Sequence, residues 1–272
     1  MMKNIYQPVE AVIENIIQET SAIKTFTLKP KTDFSFVTGQ FIELTVPGLG
    51  EAPFTPSSDP GIKERMDVTI MKTGAVTSKL HEMQKGQVVG IRGPFGKGYP
   101  LHKFKGKDLL IVGGGVGLAP LRSLLFSLFS TIDNYNKVLL RYGSRTANDI
   151  VYKGSIGEWA KRDKFDIVTS VDIGDPSWQG NVGLVTTILK DMPIDLNNAS
   201  AIVCGPPIMM KFVTLKLLDL GFKPKDIYLS MEKSMSCGLG KCGHCRLGKF
   251  YICKDGPVFT YEELKDIHDI WD

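Results

Sequence analysis

Four of the chain's five cysteines fall within seventeen residues, Cys237, Cys242, Cys245 and Cys253, in the spacing C-x4-C-x2-C-x7-C. The first three carry the spacing of plant-type iron–sulfur proteins, in which four thiolates hold a cluster of iron and inorganic sulfide. Gly238, Gly240 and Gly243 are interleaved with them. They permit the tight curl that four converging thiolates require, and they free backbone N–H groups to donate to sulfur. A 2Fe–2S centre, a one-electron carrier, is the species this spacing points to. Two other readings use the same residues. Structural zinc would take four cysteines, or three with His244, but zinc sites usually pair two C-x2-C knuckles. Only Cys242 and Cys245 have that spacing. Disulfides belong to oxidising compartments, and an N-terminal stretch carrying Glu10 and Glu14 does not read as a secretion signal.

A second group of residues could hold a dinucleotide. Residues 109–112 are a continuous apolar run, as in a buried parallel strand. The run enters Gly113, Gly114, Gly115, Val116, Gly117, Leu118, Ala119 and Pro120, and an apolar segment follows to about residue 129. Strand, glycine turn and helix are the context of a dinucleotide-binding turn, although Pro120 stands where a third glycine is usual. Later runs end in Gly143-Ser144-Arg145 and in Cys204-Gly205-Pro206-Pro207. Arg145 is a candidate for the adenosine ribose or its phosphate, or else an ordinary solvated arginine. Cys204 could border a nicotinamide or be a plain buried thiol. Two earlier turns carry hydroxyls and glycines. Residues 50–58 read Gly-Glu-Ala-Pro-Phe-Thr-Pro-Ser-Ser, and residues 74–78 read Gly-Ala-Val-Thr-Ser. The second places N–H groups and hydroxyls at a helix start, which suits a phosphate. Taken singly, each also has ordinary turn chemistry.

The elements that must position these residues change character along the chain. From residue 9 to residue 92, Phe26 and Leu28 alternate with polar neighbours. Ile42, Leu44 and Val46 alternate with Phe41, Glu43 and Thr45. Residues 66–71 and 88–91 are further strand candidates, and 76–83 is the one helix. Short strands at this pitch close into a barrel or sandwich. Beyond residue 102 the pattern becomes strands at 109–112, 137–142, 165–171, 201–204 and 227–230, with helices following the glycine turn and at 149–161, 183–192 and up to residue 220. Five strands alternating with helices imply a doubly wound parallel sheet, whose ligands sit outside the strands' carboxyl ends.

Composition bounds the rest. With 272 residues, 43% hydrophobic and 23% charged, the chain can bury real cores in about two domains and a small module. A net charge of +4 with no run of five basic residues gives no electrostatic footprint for nucleic acid. No apolar run reaches the length of a membrane span. The cytoplasm is the expected compartment.

Taken together, these motifs resemble the ferredoxin–NADP reductase superfamily over nearly the whole chain. They look closest to its electron-transfer subunits with a C-terminal 2Fe–2S lobe: those of anaerobic sulfite reductase, of cytosolic hydrogenases (their gamma subunits) and of dihydroorotate dehydrogenase. Residues 96–100, Gly-Lys-Gly-Tyr-Pro, and the cysteine stretch with its Tyr-Ile-Cys-Lys-Asp-Gly-Pro-Val-Phe tail look most like the sulfite reductase member. The resemblance implies an antiparallel FAD-binding β-barrel (residues 1–101), a five-stranded NAD(P)-binding α/β domain (102–230) and a 2Fe–2S lobe (231–272). It implies that Pro53, Phe54 and Thr55 line the flavin, with the Thr55 hydroxyl at its central nitrogen. Ala52 replaces the arginine usual at the pyrophosphate, so charge there would come from Arg92 or from Gly74, Val76, Thr77 and Ser78. For NAD(P)H the implied contacts are Gly114, Gly115, Gly117, Pro120, Arg145, Gly205 and Pro206, with Cys204 and Thr55 nearest the chemistry. NADH or NADPH, and FAD or FMN, both stay open. Such a chain would oxidise NAD(P)H and pass electrons through flavin and cluster to other redox subunits, docking around Lys241, His244 and Arg246. The terminal acceptor would be sulfite, or protons or sulfur through a hydrogenase partner; a free-standing reductase is the alternative.

Overall fold

The alternating segments become strands β1 (Val9–Gln18), β2 (Ile23–Pro30), β3 (Phe41–Val46), β4 (Gly50–Phe54), β5 (Met66–Met71) and β6 (Val88–Phe95). The computed structural model describes residues 4–271. Each strand pairs antiparallel with its neighbours in the order β4-β3-β6-β1-β2-β5, giving a barrel-like sheet. Its inner face buries Phe26, Leu28, Ile42, Leu44, Val68 and Ile91, each contributing roughly 1.5–3 kcal/mol on leaving water. Helix α1 (Ala75–Glu82) adds the fully buried Leu80 to that core. Half of the expected loop at residues 50–58 is strand: Gly50–Phe54 pairs with β3. Its Pro53 is tolerated because β4 is an edge strand, where a missing N–H breaks no ladder bond.

The second sheet runs β7 (Asp108–Gly114), β8 (Lys137–Ser144), β9 (Phe165–Val171), β10 (Asn181–Val182), β11 (Ala199–Cys204) and β12 (Ile227–Ser230), all parallel. Three helices serve it: α2 (Leu118–Phe129), α3 (Lys153–Trp159) and α4 (Pro207–Asp219). The order β10-β9-β8-β7-β11-β12 reverses direction between β7 and β11, the switch point at which open α/β sheets bind ligands. Two helix expectations are corrected. Residues 183–192 form only a 3₁₀ turn, Val185–Ile188, because Val185, Thr186, Thr187 and Ile188 are all β-branched and stiff at χ1. The helix expected over 149–161 is confined to Lys153–Trp159, since Tyr152 sits at a left-handed φ of 58° and interrupts it.

The C-terminal residues add a hairpin, β13 (Arg246–Leu247) and β14 (Phe250–Tyr251), and a short helix α5 (Ile252–Asp255). Strand β15 (Val258–Thr260) then joins β12 antiparallel at the edge of the second sheet, followed by α6 (Tyr261–Leu264). Two compact units result. One takes in the chain to Tyr99 with Arg122–Ser127 and Glu232–Pro257; the other comprises Pro100–Leu121, Leu128–Met231 and Val258–Asp272. Among the described residues no helix is long and apolar enough to cross a membrane.

Candidate functional site

The four cysteines are gathered by two local devices. A tight hairpin, β13–β14, separates Cys245 from Cys253, and Ile252 N–H closes it on the Cys245 carbonyl at 3.0 Å. The two thiols at its base lie 3.2 Å apart. Cys237 and Cys242 form the other pair, each thiol influencing the other. The curl between them needs Gly238 (φ 71°), Gly240 (φ 71°) and Gly243 (φ 87°) in the left-handed region, where a β-carbon is disfavoured. That curl aims main-chain donors at sulfur. Leu239 N–H and Lys241 N–H reach Cys237 Sγ at 3.3 Å, and Gly240 N–H reaches Cys253 Sγ at 3.0 Å.

The electrostatics separate the pairs. Burial raises the Cys237 thiol, but N–H donors from Leu239, Cys242 and Lys241 outweigh it and hold the group below its ordinary range. Cys242 is lowered by the His244 N–H first, then by Cys237. Cys253 is pushed up to about 12 by burial and then by its contact with Cys245. Cys245 and Cys253 are buried whereas Cys242 is exposed. Among the described residues, no three Cys, His, Asp or Glu side chains gather to hold a single ion. Lys241, His244 and Arg246 all lie exposed around the curl.

Beside this loop sits a charge cluster of which only Arg92 was a candidate in the sequence. Arg92 on β6 faces Glu43 across the β3–β6 ladder and is ion-paired with Glu51 of β4. Its Nε donates to both Glu51 oxygens, at 2.9 and 3.0 Å. The hydrogen bond from Arg92 does most to hold the Glu51 carboxyl below the usual range. Glu43 is fully buried, and neither of its oxygens has a hydrogen-bond partner. Burial pushes its carboxyl up to about 7 against the pull of Arg92, with Glu51 and Cys237 adding to the rise. The signal available in sequence was weak: an acid inside a largely apolar strand, Phe41 to Val46.

The flavin candidates lie in the same unit. Pro53 faces Glu43 across the β3–β4 ladder; Phe54 and Val76 are half-buried and both pack on the barrel core. Thr55, half-buried, follows directly. The two hydroxyl-bearing turns are thereby brought side by side, Val76 lying 3.8 Å from where a β-carbon on Gly50 would stand. Thr77 is committed to the helix cap: its hydroxyl accepts from Thr73 and Gly74 N–H at 2.9 and 2.8 Å. Ser78 is half-buried and its N–H bonds the Gly74 carbonyl at 2.8 Å. Arg92 is turned onto Glu51, as above.

In the second unit, the glycine turn and the end of β11 meet. A β-carbon on Gly117 would fall 2.6 Å from the Cys204 carbonyl, and one on Gly114 2.2 Å from Met209 Sδ. Gly115 differs: its φ is +53° and nothing lies within 4 Å of such an atom, so the backbone there borders open space. Tyr142, missed in the sequence as a site residue, supports the turn by donating from its hydroxyl to the Gly115 carbonyl at 3.1 Å. Pro120 lies in the first turn of α2, where no intrahelical N–H bond is lost. Cys204 is buried, Gly205 half-buried, and the exposed Pro206 caps α4. Arg145 is exposed just past the carboxyl end of β8.

Three family models match successive stretches of the chain. Residues 10–99 match the oxidoreductase FAD-binding domain, 111–214 the oxidoreductase NAD-binding domain, and 232–265 the iron–sulfur cluster binding domain of dihydroorotate dehydrogenase B. The chain is 36% identical over 279 residues to the sulfhydrogenase 2 subunit gamma of Pyrococcus furiosus, covering 95% of this chain and 96% of that one. It is 31% identical over 272 residues to the "Probable dihydroorotate dehydrogenase B (NAD(+)), electron transfer subunit" of Methanocaldococcus jannaschii, covering 97% and 93%. Among solved structures, an NADH-dependent reduced ferredoxin-NADP oxidoreductase shares the fold, with a TM-score of 0.76 at 24% identity over 93% of this chain and 89% of that one.

Proposed function

The chain belongs to the family of flavin and iron–sulfur electron-transfer subunits that includes sulfhydrogenase gamma and dihydroorotate dehydrogenase B electron-transfer subunits, and from that premise we propose that it oxidises NADH or NADPH and passes the electrons through FAD and a 2Fe–2S centre to a partner subunit. The observation that carries this reading is the arrangement of the four thiols as two pairs with main-chain donors on their sulfurs. A single zinc would want all four at one point; two pairs suit two irons, Cys237 with Cys242 on one and Cys245 with Cys253 on the other. A flavin seated by Pro53, Phe54 and Thr55 would supply what side chains cannot, the conversion of a two-electron donor into a one-electron one.

The residues then have distinct tasks. Thr55 offers a hydroxyl, and Pro53 and Phe54 a flat apolar wall, to the flavin. Gly74, Val76, Thr77 and Ser78 form the helix start beside them. Gly114, Gly115, Gly117 and Pro120 keep the turn at the switch point low enough for a pyrophosphate, with Gly205 and Pro206 opposite. Arg145 would meet the adenosine ribose, and Cys204 would border the nicotinamide. We assign these roles to three functional parts bounded near residues 101 and 230. The exposed Cys242, with Lys241, His244 and Arg246, makes the cluster edge the natural exit for electrons. For the terminal acceptor we favour sulfite, on the resemblance of residues 96–100 and 240–259; the 36% identity to a sulfhydrogenase gamma subunit favours a hydrogenase-type partner as the second reading. The setting we assign is a cytoplasmic, anaerobic complex.

The test is made on anaerobically purified protein. We expect two irons and two sulfides per chain, and bleaching of both chromophores by NADH or NADPH. Serine at any one of the four cysteines should lose or destabilise the cluster while the flavin still bleaches. Stoichiometric zinc, with no cluster absorption, would defeat the reading.

A further inference from the structure

The end of β6 holds the cysteine loop at both of its ends. At the entry, Arg92 Nη1 donates to the Cys237 carbonyl at 3.3 Å and Nη2 to the Ser236 carbonyl at 3.5 Å. Phe95, three residues on, lies under Arg92 at 5.5 Å and presses so closely on Gly238 that a β-carbon there would fall 2.8 Å from its ring. At the exit, Lys97 N–H bonds the Gly256 carbonyl, and Lys97 bridges Pro257.

Arg92 is the charged member of this grip, and it is not free to swing. Its side chain is 5% exposed, and Glu51 takes its Nε and Nη2 in a bidentate fork. Glu51 is itself held by the Thr45 hydroxyl at 2.7 Å. Glu51 belongs to β4, the strand that also carries Pro53 and Phe54 and leads into Thr55. A chain of part-buried, charge-assisted bonds therefore runs from the flavin-seat strand to the backbone of the first cysteine, tight between Glu51 and Arg92 and longer, 3.3 and 3.5 Å, at the Cys237 and Ser236 carbonyls. Charge-assisted bonds are directional and about twice as strong as neutral ones.

We propose that the Glu51–Arg92 pair is a strut that positions Cys237, and with it the iron–sulfur loop, against the strand bearing Pro53, Phe54 and Thr55. The inference rests on the iron–sulfur reading above and assigns Arg92 to the cluster side, in place of a flavin phosphate. Arg92 and Glu51 are positioning residues: they act through the Ser236 and Cys237 carbonyls. A guanidinium is needed because one group must serve a carboxylate and two carbonyls at fixed angles. Lysine keeps the charge but offers a point ammonium without the planar fork.

The experiment uses the whole, cluster-loaded protein as wild type, Arg92→Lys, Glu51→Gln and the double variant. Iron release to a chelator, flavin content, the electron paramagnetic resonance line shape of the reduced centre, and flavin-to-cluster transfer by stopped flow are measured. We expect iron release about 10-fold faster in each single variant, with flavin content unchanged, as for residues that orient metal ligands without touching the metal. Line shapes should broaden and the transfer should slow. The double variant should be no worse than either single, because both remove one strut. Wild-type release and transfer rates in Glu51→Gln would overturn the proposal, and that variant still decides it if Arg92→Lys does not fold. Parallel loss of flavin and iron with a collapsed Tm would overturn it too, by assigning the pair to general folding. Wild-type protein without iron and sulfide would fail the iron–sulfur reading itself, and the strut with it.

Discussion

Glu43 is where the chemistry of a single side chain has most effect on the whole. Its carboxyl is fully buried and unbonded, and its pKa stands at about 7. In the unfolded chain the same group titrates near 4.5. Between these values the native state holds a proton that the unfolded state has lost, so stability falls as pH rises. The carboxyl costs nothing extra while protonated and costs most above its native pKa. Between about pH 5 and about pH 8, allowing for residual solvent screening, the loss should be on the order of 1 to 2 kcal/mol. Glu43→Gln keeps the shape and removes the titration. Denaturant midpoints across that range should fall in the native protein and stay flatter in the variant; equal slopes would remove Glu43 as the cause. Arg92 and Glu51 matter at the same scale for the opposite reason, since their charges satisfy each other.

At the scale of elements, the glycine turn after β7 separates two uses of one residue type. Gly117 is packed: a β-carbon would strike the Cys204 carbonyl and the Gly205 backbone. Gly115 is open and left-handed. Gly117→Ala should therefore destabilise the second unit by roughly 1–3 kcal/mol, as overpacking against backbone does, and lower Tm. Gly115→Val should put a branched side chain where, on the function proposed above, the backbone approaches a pyrophosphate. We expect a large rise in KM for the nicotinamide with flavin content unchanged, measured by dye-coupled turnover. Unaltered kinetics would remove the turn from the site.

For the whole molecule, the question is where the electrons leave. The family models account for a flavin domain, a nicotinamide domain and an iron–sulfur domain, in that order along the chain. On the function proposed above, a partner carries out the final reduction. The purified chain, offered NADH or NADPH with sulfite, protons or a one-electron dye, should reduce only the dye. Robust production of sulfide by the chain alone would show that the partner is unnecessary. Replacing Lys241, His244 and Arg246 together by glutamate should leave dye reduction intact and weaken transfer to the native partner.

Much of this was legible in residues alone, for physical reasons. Thiolate spacing is local: seven residues between Cys245 and Cys253 are what a tight hairpin spans. Period-2 alternation and continuous apolar runs report directly on half-buried and fully buried strands, so the barrel-like sheet and five of the six parallel strands followed from sequence. The strand content of residues 50–58 did not, because pairing of a Pro-containing segment depends on its place at a sheet edge. Nor did the 3₁₀ turn at 185–188, where χ1 stiffness outweighed helical spacing. The fate of β3's second face was the most distant from sequence. Alternation placed Glu43 toward water, opposite Ile42 and Leu44. It is buried because Arg92 of β6 turns over that face to Glu51 and to the carbonyls of Ser236 and Cys237, residues separated from it by more than 140 positions. Charge pairs made across such distances depend on which chain segments the fold brings together, and only the tertiary structure decided that.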